Sequence, residues 1–223
     1  MPNDLLPETL VILESRKLIG ESLQAIFTAA NVFSNICVVS GLPCPVFPVK
    51  INEPALFLIA VHSYLQACQT IQQVQTTQPE ATIVVLDEQF RSGCGILVRD
   101  TIVHGYWTFQ DAAERVINGV LQASRRCPSI SPLAGNHLRH SRRKGVQIGP
   151  GLLEHPFYKL SKRARQLLYL IAGGKKIEAC AAEMSIAKKT AYNLREKLIK
   201  KFRVQTGADL VWQAIEIGLV DFV

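Results

Sequence analysis

The sequence lacks the features that mark membrane-inserted, exported, metal-binding or hydrolytic proteins. No apolar run approaches the roughly 20 residues that a helix needs to span a bilayer. The first ten residues contain acidic but no basic side chains, unlike a signal peptide. The six cysteines show neither CxxC spacing nor the histidine spacing of a metal site, and no Ser-His-Asp or Cys-His arrangement is visible. We therefore expect a cytoplasmic protein that is not an enzyme and that needs no metal or other cofactor.

The composition indicates two folded domains of different charge. Hydrophobic residues make up 48% of the 223 residues, which is enough to form buried cores. Residues 1–134 carry 8 Lys/Arg against 11 Asp/Glu, whereas residues 135–223 carry 17 against 7, a formal charge of +10. This asymmetry predicts that a nucleic-acid partner binds the C-terminal part.

Short apolar segments alternate with helical patterns over the first 130 residues. We predict strands at residues 10–14, 36–39, 55–61, 82–86 and 106–109. Helices are predicted at residues 17–31, 63–78, 89–99 and 111–125, the first with a core face of Leu18, Leu23, Ile26 and Phe27. Four prolines at 41–54 forbid a regular helix across most of that stretch. The alternation predicts an α/β fold with a doubly wound, parallel, five-stranded sheet.

The stretch 160–203 predicts three short helices in succession. Ser161 lies at an N-cap position, and Gly173-Gly174 is predicted to end the first helix. A second helix over 176–184 and a third over 188–203 are separated by a tight connection at 185–187. Two helices joined by a short turn, the second of them basic, predict a helix-turn-helix. The alternative is a small helical bundle whose lysines only keep its surface solvated.

The third helix of this stretch has one apolar and one basic, amide-bearing side. Its apolar side is formed by Ala191, Leu194, Leu198 and Phe202. In the major groove of DNA, Asn can bond an adenine edge and Lys can meet guanine or phosphate. The predicted DNA-binding residues are Lys188, Lys189, Thr190, Tyr192, Asn193, Glu196, Lys197 and Lys200. Glu196 either accepts from a cytosine amino group or weakens binding.

Residues 160–223 resemble the LuxR-type DNA-binding domain of NarL/FixJ-type response regulators. The matching segments are LSKRARQLLYLIAGG, IEACAAEMSIAKKTAYNLREKLIKKF and TGADLVWQAIEIGLV. Two caps differ from the family pattern, because Ala164 replaces the usual Glu and Ala187 replaces a Ser or Thr. The resemblance implies a dimer contact on the last helix, formed by its apolar residues Val211, Trp212 and Ile215. Leu210 is predicted to be exposed with them, and packing of Trp212 within its own domain is the alternative.

The segment GYWTFQDAAERVINGV resembles the fifth strand and last helix of a receiver domain. The resemblance implies a phosphorylation pocket with an acidic pair, a phosphate-accepting Asp, a Ser or Thr, and a Lys. At these positions the chain has Glu14-Ser15, Ala60, Asp87 and Phe109. The pocket is therefore predicted to be degenerate, and the domain to be a pseudo-receiver. A cation site formed by Glu14, Asp87 and Glu88 is the less favoured reading.

These observations predict a receiver-like domain over 1–130, a basic linker over 131–156 and an all-α, four-helix, LuxR-type helix-turn-helix domain over 157–223. The linker is rich in Pro, Gly, Ser and Arg, and its cluster of Arg139, Arg142, Arg143 and Lys144 either contacts phosphates or is only solvated. We expect a phosphorylation-independent transcriptional regulator that binds double-stranded DNA as a homodimer. A regulatory protein or small ligand is expected to act on the pseudo-receiver. The alternative is an adaptor module whose helix-turn-helix no longer binds DNA.

Overall fold

The computed structural model describes residues 9–40, 55–62, 64–88, 102–135, 137–141, 145–149, 155–217 and 219. The first part of the chain alternates strands and helices. Its elements are β1 Thr9–Leu13, α1 Lys17–Ala30, β2 Asn35–Val39, β3 Leu56–Val61, α2 Tyr64–Thr77, β4 Thr82–Asp87, β5 Gly105–Thr108, α3 Ala113–Ser124 and β6 Ser129–Ile130. The predicted helix at 89–99 and the proline-rich stretch at 41–54 lie outside the described residues.

The strands form one parallel sheet in the order β2-β1-β3-β4-β5-β6. The predicted α/β parallel fold is confirmed, but the described residues contribute six strands to the sheet where five were predicted. The sixth pairs with β5 through only two residues, Ser129 and Ile130. A strand of that length has no periodicity that a sequence pattern could reveal.

The sheet is covered on both faces. Side chains of β1, β3 and β4 alternate between two apolar clusters, one shared with α1 and α3 and the other with α2. All residues of β3 and β4 are buried, as expected for strands covered on both sides. The predicted core face of α1 was partly wrong, because Leu23 and Phe27 are buried whereas Leu18 is 76% and Ile26 38% exposed.

Part of the segment predicted as a linker is structured. A 3-10 turn at Pro132–Ala134 precedes an antiparallel hairpin of β7 Leu138–Ser141 and β8 Gly145–Ile148. Leu138 and Val146 are buried, and the backbone N–H of Val146 donates to the carbonyl of Val103 at 2.9 Å. The hairpin thus packs against the chain that leads into β5. Residues 142–144 of the basic cluster lie outside the described part of the chain.

The C-terminal part consists of helices packed around buried apolar side chains, which are continuous with the apolar cluster on the α2 side of the sheet. A 3-10 turn at Pro156–Lys159 leads into α4 Lys162–Ala172, α5 Ile177–Glu183, α6 Lys188–Phe202 and α7 Gly207–Glu216. As predicted, the Ser161 hydroxyl caps α4 by accepting from the Ala164 N–H at 3.3 Å, and Gly174 has a left-handed φ of +80°. The core is formed by Leu167, Leu168, Leu170, Cys180, Ala181, Ala191, Leu198, Phe202, Leu210 and Ala214. Within the described ranges, no helix is both long and apolar enough to cross a bilayer.

Candidate nucleic-acid interface and receiver-like pocket

Helix α6 presents one continuous exposed face. It is anchored by Ala191, Leu198 and Phe202, which lie within about 40° of one another around the helix axis and are buried. The residues predicted to contact DNA are all exposed: Lys188, Lys189, Thr190, Tyr192, Asn193, Glu196, Lys197 and Lys200. The structure therefore brings the whole predicted set to the surface of one 15-residue helix. Helical spacing centres Lys189, Asn193 and Lys200 opposite the buried side.

The turn between α5 and α6 orients this helix. Ser185 has a left-handed φ of 52°, and its N–H donates to the carbonyl of Ala182 at 3.1 Å. The backbone then enters α6 at Ala187, which provides no side-chain cap, as predicted. The first turn of α6 has no acidic residue and contains Lys188 and Lys189. Because a helix N-terminus carries partial positive charge, two lysines there favour a bound anion.

Tyr192 is tied to the neighbouring helix. Its hydroxyl donates to Oε1 of Glu178 on α5 at 2.6 Å. This bond raises the pKa of Tyr192 and lowers the pKa of Glu178, because it favours the phenol together with the carboxylate. The Tyr192 hydroxyl is thus engaged within the helix-turn-helix, and the Glu178 carboxylate lies beside the exposed face of α6 on the α5 side.

Helix α7 carries the residues predicted to form a dimer contact. Trp212 is 55% exposed, while Val211 and Ile215 are half-buried. The prediction that Leu210 is exposed was wrong, because Leu210 faces the core and is fully buried. The helix begins with a capping box, in which the hydroxyl of Thr206 accepts from the N–H of Asp209 at 3.1 Å and Asp209 bonds back. On α7, Trp212 lies on the exposed side, opposite the buried Leu210.

The receiver-like pocket lies where β1, β3 and β4 end, and it contains an ionic network. Glu14 is fully buried just after β1, and its carboxylate accepts from the N–H of Arg16 at 2.8 Å. Nε2 of His62, which follows β3, lies 2.9 Å from the same carboxylate. The guanidinium of Arg16 contacts both oxygens of Glu14 at 3.4 Å and bonds Glu88, after β4, at 2.5 Å.

This network favours the charged form of Glu14. Burial alone would raise the pKa of Glu14, but bonds from the Arg16 N–H, His62 and the Arg16 guanidinium hold it below its ordinary value. Burial would likewise lower the pKa of Arg16, and its bonds to Glu14 and Glu88 outweigh that effect and raise it. The cation that these carboxylates face is therefore a guanidinium of the chain itself.

At the other positions predicted for the degenerate pocket, Ala60 in β3 and Asp87 are buried, whereas Ser15 and Phe109 are exposed. Asp87 accepts a hydrogen bond from the buried hydroxyl of Tyr106 at 2.7 Å. Phe109 is 38% exposed in the turn after β5. No group of three His, Cys, Asp or Glu side chains within the described ranges is arranged to hold a metal ion.

Arg16, His62 and Tyr106 were missed by sequence reasoning. Arg16 and His62 follow directly after the ends of predicted parallel strands, and such strands end at one edge of the sheet. That position was an available signal for Arg16 and His62. Tyr106, which lies inside β5, carries no comparable signal in the sequence.

Comparisons with known proteins find a relative that matches part of the sequence and solved structures that share the fold. No protein-family model matches the chain. The response regulator UvrY of Escherichia coli K12 is 30% identical over 73 residues, which are 33% of this chain and 34% of UvrY. The match thus spans about a third of the length of this relative. RcsB of Salmonella enterica serovar Typhimurium, bound to promoter rprA with BeF3−, matches 92% of this chain and 96% of its own at 14% identity and a TM-score of 0.55.

A second structure of RcsB, with two dimers bound to two parallel DNAs, aligns with 95% of this chain and 99% of its own. Its TM-score is 0.53 at 14% identity. The chain thus has the fold of these RcsB chains. The predicted order of a receiver-like α/β domain followed by a helix-turn-helix domain is thereby confirmed. At this identity the likeness to the solved structures concerns the fold.

Proposed function

We propose that this protein is a transcriptional regulator that binds double-stranded DNA through α6 as a homodimer, independently of phosphorylation. The observation that carries the proposal is the continuous exposed face of α6, with Lys189, Asn193 and Lys200 opposite its buried side. A helix of this diameter fits the major groove, where an amide can read adenine. The solved structures of RcsB with the same fold contain DNA.

The lysines at both ends of α6 also support DNA binding by this helix. Lys188 and Lys189 stand at the uncapped N-terminus, where positive side chains and the helix dipole repel each other unless an anion is near. Lys200 and Lys201 lie in the last turn. Duplex DNA offers phosphates on both sides of the groove, so one helix can engage them along its length.

The test is an alanine substitution at Asn193, with binding measured at several salt concentrations. We expect Asn193→Ala to cost about 1–3 kcal/mol on the preferred site, and much less on random-sequence DNA. Asn118→Ala, an exposed asparagine on α3, is the matched control and should leave both affinities unchanged. If Asn193→Ala left the ratio of specific to random binding unchanged, Asn193 would not read a base.

The same titration separates the proposal from the adaptor alternative. Glu178 and Glu196 place carboxylates on or beside the exposed face of α6. A protein partner could bond these carboxylates, whereas the phosphates of DNA would be repelled by them. An intact wild-type protein that binds no duplex at low salt would favour the adaptor module. A binding constant that falls steeply with salt would support the regulator.

The dimer part of the proposal rests on Trp212. A tryptophan that is 55% exposed on the last helix of a small domain offers a large apolar contact, and a two-fold dimer would match an inverted-repeat site. Trp212→Ala is expected to weaken binding to a paired half-site duplex much more than binding to a single half-site. Equal losses on both duplexes would argue against a dimer contact.

Independence from phosphorylation rests on the ionic network of the receiver-like pocket. Phosphoryl transfer to a receiver needs a carboxylate nucleophile, a bound cation and a cationic partner for the product. Ala60 offers no nucleophile at the position of the phosphate-accepting Asp. The carboxylate of Glu14 is already bonded to Arg16 and His62, and Phe109 stands at the position of the lysine that would pair with the phosphate. The pocket thus contains its own cation between Glu14 and Glu88.

Incubation with Mg²⁺ and a small phosphodonor tests this part of the proposal. We expect no gain of a phosphoryl group in the intact mass, and no change in oligomeric state or DNA affinity. Ala60→Asp alone should not restore phosphorylation, because the new carboxylate would lack its metal and lysine. A stable gain of one phosphoryl group with tighter DNA binding would refute phosphorylation independence and leave DNA binding intact.

A further inference from the structure

A basic cleft lies beside the recognition face of α6. It has a volume of about 350 Å³ and separates the start of α4 from the flank of α6. Its floor is apolar, with Leu160 and Leu198 buried and Ala164 and Leu194 half-buried. Its rim is formed by the exposed residues Lys159, Ser161, Lys197 and Lys201. None of the described residues that line the cleft carries a carboxylate.

We propose that this cleft binds one backbone phosphate of the DNA strand that borders the major groove occupied by α6. This inference rests on the proposed DNA-binding function and assigns a second element, the Lys159–Ser161 segment, to the interface. Lysine ammonium groups bind phosphate oxygens as point charges and carry no base information. The cleft would therefore set the register of α6 in the groove.

The arrangement of charge favours an anion here. Lys197 and Lys201 are four residues apart on α6, so their ammonium groups lie on the same side and repel each other. Lys159 adds a third positive charge from the 3-10 turn. The ammonium of Lys201 donates to the carbonyl of Lys159, which ties the turn to α6. A phosphate would offset this repulsion, and the chain itself supplies no carboxylate for that purpose among the lining residues.

The position of the cleft fits a strand of duplex DNA. Lys197 follows Asn193 by four residues, so its side chain lies about 40° around the helix from Asn193, on one flank of the exposed face of α6. The major groove is about 12 Å wide and a helix with side chains is about 10–12 Å across, so the flank of α6 must lie close to a backbone. The opposite flank carries Glu178, bonded to Tyr192, which would repel a phosphate at that point.

The test combines charge removal on the protein with charge removal on the DNA. The double variant Lys159→Gln and Lys197→Gln keeps Lys201 and its bond to the turn. We expect the slope of log K against log salt to become shallower by about one unit in the full-length protein. Lys17→Gln, which removes an exposed charge on α1, should leave the slope unchanged.

Methylphosphonate scanning then locates the phosphate. Single uncharged linkages are placed along a duplex that carries the preferred site selected from random sequences. For the wild type we expect one position beside the recognition helix to weaken binding roughly tenfold. The double variant should show no further loss at that position, whereas Lys200→Gln should still show it.

Three outcomes distinguish the possibilities. A wild-type protein that binds no DNA overturns the proposed function together with this inference. Normal DNA binding with an unchanged slope in the double variant overturns the inference alone. Saturable binding of inorganic phosphate at the cleft with an unchanged methylphosphonate profile would also overturn it, because the site would then take a free anion and not the DNA strand.

Discussion

Replacement of Glu14 by glutamine is the sharpest test of the ionic network at the sheet edge. The side chain is fully buried and accepts from the Arg16 N–H at 2.8 Å and faces Nε2 of His62 at 2.9 Å. Glutamine preserves the shape of the side chain but removes its negative charge. Its NH₂ group would also point a donor toward the N–H groups of Arg16, which are donors themselves. Bonds to a charged acceptor contribute about 1.5–3 kcal/mol, against roughly 0.5–1.5 kcal/mol for neutral ones. The Arg16 side chain is 41% exposed, so its share is reduced by solvent screening.

We therefore expect Glu14→Gln to lower the free energy of unfolding by about 1–3 kcal/mol at pH 7. The loss should depend on pH. The pKa of Glu14 is lowered in the folded protein, so its stabilisation is present above the ordinary value of 4.5 and is lost as the pH falls through the folded value. The difference between wild type and variant should shrink toward zero in acid.

Tryptophan fluorescence during urea unfolding measures this difference. The chain has two tryptophans, and in a Trp212→Phe background Trp107 reports on the sheet alone. Glu21→Gln is the matched control, because Glu21 is exposed and pairs with Lys17 at 3.8 Å, which should contribute less than about 0.5 kcal/mol. A loss at Glu14 that stays constant from pH 7 to pH 3.5 would refute the charged network.

Two further substitutions test packing and capping. Gly119→Ala would place a methyl group 2.1 Å from the Trp107 ring, so we expect the free energy of unfolding in urea to fall by about 1–3 kcal/mol. The adjacent, exposed Asn118→Ala is the control and should be neutral or slightly stabilising. An equal gain in stability at both positions would contradict the packing of Gly119 against Trp107. Thr206→Ala removes the cap that accepts from Asp209 and should cost about 0.5–2 kcal/mol in the C-terminal domain, as measured by its unfolding transition. An unchanged transition would mean that the cap contributes nothing.

Sequence patterns were most reliable where local rules act alone. Strands β3 and β4 could be predicted because strands buried on both faces appear as continuous apolar runs. The start of α4 at Ser161 and its end before Gly174 follow from cap chemistry, which depends on a few neighbouring residues. The exposed face of α6 follows from helical spacing, and every residue predicted for it is exposed.

Tertiary packing decided which faces are covered. Ile26 lies within about 100° of Leu23 and Phe27 around α1 but is 38% exposed, because α3 and the sheet cover only the Leu23 and Phe27 side. Leu18 lies about 180° from Phe27, so helical spacing alone excludes it from that side. Leu210 was predicted to be exposed and is buried against neighbouring helices. Apolar character alone does not state which neighbour is available, and helices that lie close in space can be distant in sequence.

The sequence by itself determined the order of the elements and the charge asymmetry, and it predicted a degenerate phosphorylation pocket at Ala60 and Phe109. Only the tertiary structure decided which side chains meet at that edge of the sheet. Glu14, His62 and Glu88 are separated by dozens of residues, and they meet because parallel strands end at one edge of the sheet. Burial at that edge makes an uncompensated carboxylate costly, so the structure pairs Glu14 with Arg16 and His62.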